Sequence, residues 1–168
     1  SSKIKLHSPL GIVLSGCKRR WEGEPTESVL IIGAGAMGCR FGAELQRAGM
    51  DVCLYDVARA HVDKIQRDGL KIHSERGEET MHIRASYDPS SLPRPDIAAV
   101  FTKTMYTESA LSAVSACFGE KTMVLTLQNG LGNIRRISAF VPQERIIAGV
   151  TTHACDLIGP GEIFHCPG

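Results

Sequence analysis

Val29-Leu30-Ile31-Ile32-Gly33-Ala34-Gly35-Ala36-Met37-Gly38 joins a short apolar run to a Gly-x-Gly-x-x-Gly turn. The apolar run has the length of a buried strand. Met37, Phe41, Leu45 and Ala48 then recur at the spacing of one helix face. In a strand–turn–helix unit each glycine has its own task. Gly33 permits the tight turn, Gly35 lets backbone approach a pyrophosphate, and Gly38 lets the helix lie close to its strand. The helix N-terminus offers unpaired N–H groups and partial positive charge to the phosphates. Eighteen residues beyond Gly38, the apolar run Val52-Cys53-Leu54-Tyr55 ends in Asp56, the position from which an acid reaches a ribose. The pattern predicts a dinucleotide held by Gly33, Ala34, Gly35, Ala36, Met37, Gly38 and Asp56.

The bulk composition supports this class. A chain of 168 residues with 43% hydrophobic and 22% charged residues can bury an ordinary globular core. A formal net charge of +1 gives no reason to expect nucleic acid as a partner, and no apolar run is long enough to span a membrane. The six cysteines are scattered without a Cys-x-x-Cys, which reads as reduced thiols in a cytoplasmic protein, with Cys53 and Cys117 as small core residues. His153-x-Cys155 and His165-Cys166 lack the spacing of a structural zinc site, so no metal is expected. Leu14-Ser15-Gly16-Cys17 imitates a lipoprotein cleavage box, but His7 and Pro9 interrupt the apolar stretch before it. Residues 1–27 are therefore expected to be an extension, disordered in part, and residues 28–168 the dinucleotide-binding domain.

Beyond the extension, strand and helix patterns alternate, as in a parallel sheet covered by helices. Strands are expected at Ser28–Ile32, Asp51–Tyr55, Ile97–Phe101, Thr122–Leu127 and Ile146–Val150, with a further one at Gly161–His165. Helices are expected at Ala36–Ala48, Ala58–Arg67, Tyr106–Phe118 and Asn133–Phe140. Leu70–Ser74 and Thr80–Arg84 alternate apolar and polar residues around Arg76-Gly77 and read as a hairpin. The fold class is α/β, a Rossmann-type doubly wound, mostly parallel sheet.

The unusual polar residues all follow strands. Lys103 lies two residues past Phe101, Gln128-Asn129-Gly130 follows Leu127, and Thr151-Thr152-His153 follows Val150. In a doubly wound sheet these positions share the carboxyl edge with the glycine turn and Asp56, where ligands bind. Plainer readings exist for each. Asp56 can cap the next helix, Lys103 can be a solvated lysine, Asn129-Gly130 is also a hairpin dipeptide, and His153 can be a core histidine.

Ile32-Gly-Ala-Gly-Ala-Met-Gly38, Lys103, Leu127-Gln-Asn-Gly-Leu-Gly132 and Gly149-Val-Thr-Thr-His-Ala154 together resemble the N-terminal domain of the ketopantoate reductase (2-dehydropantoate 2-reductase) family. The first motif is shared by many dehydrogenases; the last two are far more specific. The resemblance runs from about residue 28 to the end. It implies reduction of a 2-keto acid, ketopantoate, by a nicotinamide cofactor, on the route to pantothenate and coenzyme A. By position, Lys103 and Asn129 would serve cofactor binding and catalysis at the nicotinamide end, Asn129 at the nicotinamide ribose and Lys103 through charge and hydrogen bonds.

Two departures bear on these implications. Many members carry an arginine just after the second strand to meet the 2′-phosphate of NADP, whereas Tyr55-Asp56-Val57 places an acid there, favouring NAD over NADP. The family's helical C-terminal domain, source of the proton-donating lysine, is not represented, so the chain alone is expected to be inactive and to have a face open to self-association. The alternative to an enzyme domain is a non-catalytic module that binds or senses NAD(H).

Overall fold

The computed structural model describes residues 27–166. The extension, with its cleavage-box imitation, therefore lies outside the described residues apart from Glu27. The elements are β1 (Ser28–Ile32), α1 (Ala36–Arg47), β2 (Asp51–Tyr55), α2 (Arg59–Asp68), β3 (Leu70–Ser74), β4 (Gly77–Met81) and β5 (Arg84–Ser86). They continue with β6 (Ile97–Val100), α3 (Thr107–Val114), β7 (Met123–Thr126), α4 (Asn133–Ile137), β8 (Ile146–Ala148), β9 (Ala154–Gly159) and β10 (Glu162–Cys166).

Six strands form one sheet in the order β5-β2-β1-β6-β7-β8, every neighbouring pair parallel. The chain winds outward from β1 through β2 to β5, then returns to lay β6 on the other side of β1. The reversal between β1 and β6 opens a crevice at the carboxyl ends of the strands. Alternation along β1 divides the core. Val29 and Ile31 enter the cluster with Cys39, Ala43, Val62 and Ile65, on the side of α1 and α2. Leu30 and Ile32 join Leu111, Val114 and Ile137, on the side of α3 and α4. Burying Leu30, Ile31 and Ile32 completely stabilises the fold by about 1.5–3 kcal/mol per side chain.

A second sheet, in the order β4-β3-β10-β9, was not foreseen as a separate layer. The expected hairpin exists, but its second strand is Gly77–Met81, paired antiparallel with β3. Arg84–Ser86 instead joins the main sheet beside β2, in parallel. The strand expected near Gly161–His165 is β10, parallel to β3 and antiparallel to β9. Leu70, Ile72 and Ile163 close over the same apolar cluster as α1 and α2, so α1 is buried between two sheets while α2 buries one face, His61, Val62 and Ile65, against the cluster.

That second layer revises the reading of α1. Ala48 is exposed, and Met37 is only partly covered. Small residues face the main sheet instead: a Cβ on Gly42 would lie 2.7 Å from the Leu54 side chain. On the side of the second sheet, Arg40 and Glu44 are buried and paired with each other. α2 keeps its expected length but is shifted by one residue, to Arg59–Asp68. α3 and α4 are shorter than expected: α3 is flanked by single 3₁₀ turns at Thr104–Tyr106 and Ser115–Cys117, and α4 ends at Ile137. Cys53 is core as expected, whereas Cys117 is only partly buried. No helix among the described residues is long and apolar enough to cross a membrane.

His61 ties the layers together. Its Nδ1 accepts the Gly161 backbone N–H at 2.9 Å, anchoring the β9–β10 turn on α2. The closest tolerance in the fold lies at Gly38, where a Cβ would sit 2.0 Å from the Gly33 carbonyl oxygen. Gly38→Ala is expected to cost about 3 kcal/mol of stability, read as a lower urea midpoint.

Candidate functional site

The glycine turn is built by close backbone contact. Gly33 adopts φ +95°, a left-handed conformation, and a Cβ there would lie 2.7 Å from the Thr102 nitrogen. Its N–H donates to the Tyr55 carbonyl at 2.9 Å, and the Phe101 N–H donates to the Ile32 carbonyl at 2.8 Å, so the ladder runs up to the crevice on both sides. Gly35 differs from its neighbours: a Cβ there would meet nothing within 4 Å. It precedes α1 as N-cap without any side-chain cap, and the first turn of α1 carries no acid. Open space thus faces N–H groups that the helix itself cannot pair.

A hydrogen-bonded chain braces the turn from behind. With Nδ1 accepting from Gly161, the neutral His61 ring carries its proton on Nε2, which lies 3.6 Å from Cys39 Sγ. The Cys39 thiol donates to the Ala34 carbonyl at 3.0 Å. Burial, reinforced by the charges of Asp56 and Cys155, pushes this thiol far above its ordinary range. It stays protonated and serves as a donor, not a nucleophile.

The crevice has two connected halves sharing Phe101, Thr102 and Lys103. The first, about 440 Å³, is lined by Gly33, Gly35, Tyr55 and Asp56 on one side and by Tyr106, Ala110 and Ala113 on the other. The second, about 360 Å³, is lined by Met37, Thr104, Gln128, Asn129, Thr151 and His153. All five loops expected at the carboxyl edge therefore meet on one cleft. Asp56 Oδ1 accepts the Ala58 N–H at 2.9 Å, so the acid organises the start of α2 while also lining the cleft. Lys103 is exposed and has no ion pair among the described residues. His153 packs its ring edgewise on Phe41 at 6.1 Å while lining the second half.

Gln128, read with Asn129 as one polar pair, is a brace. Its Nε2 donates to the Thr102 carbonyl at 2.6 Å and to Thr107 Oγ1 at 2.9 Å, and its Oε1 accepts from Thr126 Oγ1 at 3.0 Å. Thr104 Oγ1 donates to the Asn129 carbonyl at 2.9 Å, and Asn133 Nδ2 donates to the same carbonyl at 3.2 Å. These bonds hold the loops after β6 and β7 together and leave the Asn129 carboxamide unbonded among the described residues. Tyr106, Ala110 and Ala113 were missed as cleft residues. For Ala110 and Ala113 the signal was the small side chains of α3, set where a flat ligand could lie; Tyr106, in the turn before α3, carried no such signal.

A parallel sheet whose strand order reverses at β1/β6, with a glycine turn open at Gly35, defines a Rossmann-type dinucleotide-binding domain. The family description "Ketopantoate reductase PanE/ApbA" matches residues 29–167, and the chain belongs to that family. The 2-dehydropantoate 2-reductase of Streptococcus pyogenes serotype M3 is 35% identical over 133 residues, covering 79% of this chain and 43% of that protein. The enzyme of the same name from Halobacterium salinarum is 34% identical over 143 residues, 83% of this chain and 46% of that protein.

Among solved structures, D-mandelate dehydrogenase with NADH and anilino(oxo)acetate superposes with TM-score 0.80 at 34% identity, over 83% of this chain and 45% of that one. The 2-dehydropantoate 2-reductase of Geobacter metallireducens gives TM-score 0.76 at 35% identity, over 84% and 46%. The chain spans less than half the length of these relatives.

Two outcomes test the geometry. Gly35→Ala should fold with stability within about 1 kcal/mol of the parent while losing nucleotide affinity, because its Cβ enters the open space; calorimetric titration beside thermal unfolding separates the two effects. Cys39 should resist iodoacetamide at pH 8 in the folded chain and react once urea unfolds it, as mass mapping of the peptides would reveal.

Proposed function

We propose that this chain is the cofactor-binding domain of a nicotinamide-dependent reductase that converts a 2-keto acid into the 2-hydroxy acid, with ketopantoate as the substrate of first choice. The observation that carries this reading is the open space at Gly35, set against uncapped N–H groups and continuous with a cleft lined by Lys103 and Asn129.

The residues fit a dinucleotide from end to end. The turn Gly33, Ala34, Gly35, Ala36, Met37 and Gly38 would receive the pyrophosphate at the first turn of α1. Asp56, with Oδ2 left over from its bond to Ala58, would accept from the ribose hydroxyls beside Tyr55. Ala110 and Ala113 would offer an apolar wall to the adenine. Reduced nicotinamide, when bound, supplies the hydride.

The protein's part at that end is to hold the keto acid and neutralise charge. The Lys103 ammonium would pair with the substrate carboxylate or the developing alkoxide, and the Asn129 carboxamide would hydrogen-bond the nicotinamide ribose and the substrate. Both act from loops that Gln128 and Asn133 hold fixed, so little reorganisation is required at the moment of reaction. The family resemblance implies that the proton for the new hydroxyl comes from a lysine of the family's helical C-terminal domain. Cytoplasmic placement is part of the same proposal, as is a 2-keto acid in place of any macromolecular ligand.

For the nucleotide itself, the carboxylate of Asp56 favours a free 2′-hydroxyl and disfavours a 2′-phosphate, so NADH is the proposed partner. Titrating the chain with NADH and NADPH tests the reading, and failure to bind either removes it. Replacing Asp56 with Ser together with Val57→Arg should move the ratio of affinities towards NADPH by about tenfold or more. An unchanged ratio would confine Asp56 to organising the start of α2.

A further inference from the structure

We propose that Tyr87 is a specificity-determining residue for the nucleotide: by stacking the Arg59 guanidinium just past the end of β5, outside the cleft, it withholds that cation from a 2′-phosphate. The inference rests on the reading that the cleft takes a dinucleotide, and it adds a residue from outside the cleft.

The sheet order supplies the geometry. The cleft lies over the ends of β2, β1 and β6, whereas β5 is the edge strand on the far side of β2. Tyr87 directly follows β5. The Asp56 N–H donates to the Ser86 carbonyl at 3.2 Å, fixing the turn that carries the acid beside the one that carries Tyr87. Arg59 opens α2 three residues past Asp56, and its guanidinium carbon lies 4.8 Å from the centroid of the Tyr87 ring. That is within the range of a cation–π contact. Tyr87 packs against the apolar cluster between the sheets, while Arg59 is exposed. Neither residue lines the cleft.

The two partners therefore differ in freedom. The ring is anchored by packing, and among the described residues the guanidinium is held only by the ring. Asp56 Oδ1 pins the Ala58 N–H, so the backbone leading to Arg59 is fixed and only side-chain rotation could bring the cation round to the ribose. Among the described residues near the Asp56 turn, Arg59 has the charge and the fork geometry to grip a phosphate. A 2′-phosphorylated nucleotide must first break the stack, and its apparent affinity falls by the fraction of molecules in which Arg59 is unstacked. An exposed cation–π contact makes that penalty roughly two- to fivefold. A nucleotide with a free 2′-hydroxyl does not incur it.

The experiment is calorimetric titration of the 168-residue chain with NADH and NADPH. Tyr87→Leu keeps apolar packing and removes the π face; Tyr87→Phe keeps both. Tyr87→Leu should tighten NADPH binding about two- to fivefold and leave NADH unchanged, Tyr87→Phe should match the parent, and adding Arg59→Ala to Tyr87→Leu should abolish the gain. Equal changes for both nucleotides, no change for either, or a gain that survives Arg59→Ala would overturn the proposal. A parent chain that binds neither nucleotide removes the cleft reading and this inference together, whereas NADH binding without the Tyr87 effect removes this inference alone. A second readout needs no variant. The Arg59 δ-proton resonances, shifted upfield by the ring, should move downfield on saturation with NADPH and stay in place with NADH; resonances indifferent to both would also overturn it.

Discussion

Close approach of three backbone segments around Gly33 is the constraint on which the rest of the molecule depends. The carbonyl of Gly33 occupies the space a Cβ on Gly38 would need, and the Thr102 nitrogen occupies the space a Cβ on Gly33 would need. β1, α1 and the loop after β6 are thereby drawn to one point, closer than side chains would permit. The crevice opens beside that point because the strand order reverses there, β2 lying on one side of β1 and β6 on the other. Had α1 stood farther from β1, its N-terminal N–H groups would not aim into the space in front of Gly35.

Support for this contact comes from behind it. Between the two sheets, α1 is flanked by small residues on one side and by the buried Arg40–Glu44 pair on the other. The relay from Gly161 through His61 and Cys39 to the Ala34 carbonyl connects the second sheet to the glycine turn by hydrogen bonds. Among the described residues, Arg40 Nε and His165 Nδ1, and Asn133 Oδ1 on the opposite face of the sheet, are buried without a hydrogen-bond partner.

β1, β2, β6 and β7 were legible because buried parallel strands read as short apolar runs. The glycine spacing, Asp56, Lys103 and Asn129 were legible because strand ends in such a sheet share one edge. The second sheet was not. β9 reads Ala-Cys-Asp-Leu-Ile-Gly, with no alternation, and it is a strand because β10 pairs with it and α1 packs beneath it. For the same reason Arg40 and Glu44 read as ordinary exposed helix residues until a second layer covered them.

Chain order alone settled the class of fold, the glycine turn and the set of loops at the carboxyl edge, since each follows from local periodicity and from strand-to-helix alternation. Tertiary structure decided which polar residues face the cleft and which hold it together. Gln128 became a brace and Asn129 a lining residue, though they are neighbours in the chain. Arg59 was drawn to Tyr87, a residue distant in sequence, and away from Asp56, three positions before it. The physical reason is that hydrogen bonds and ring contacts are settled between segments remote along the chain, and their geometry exists only once the layers have packed.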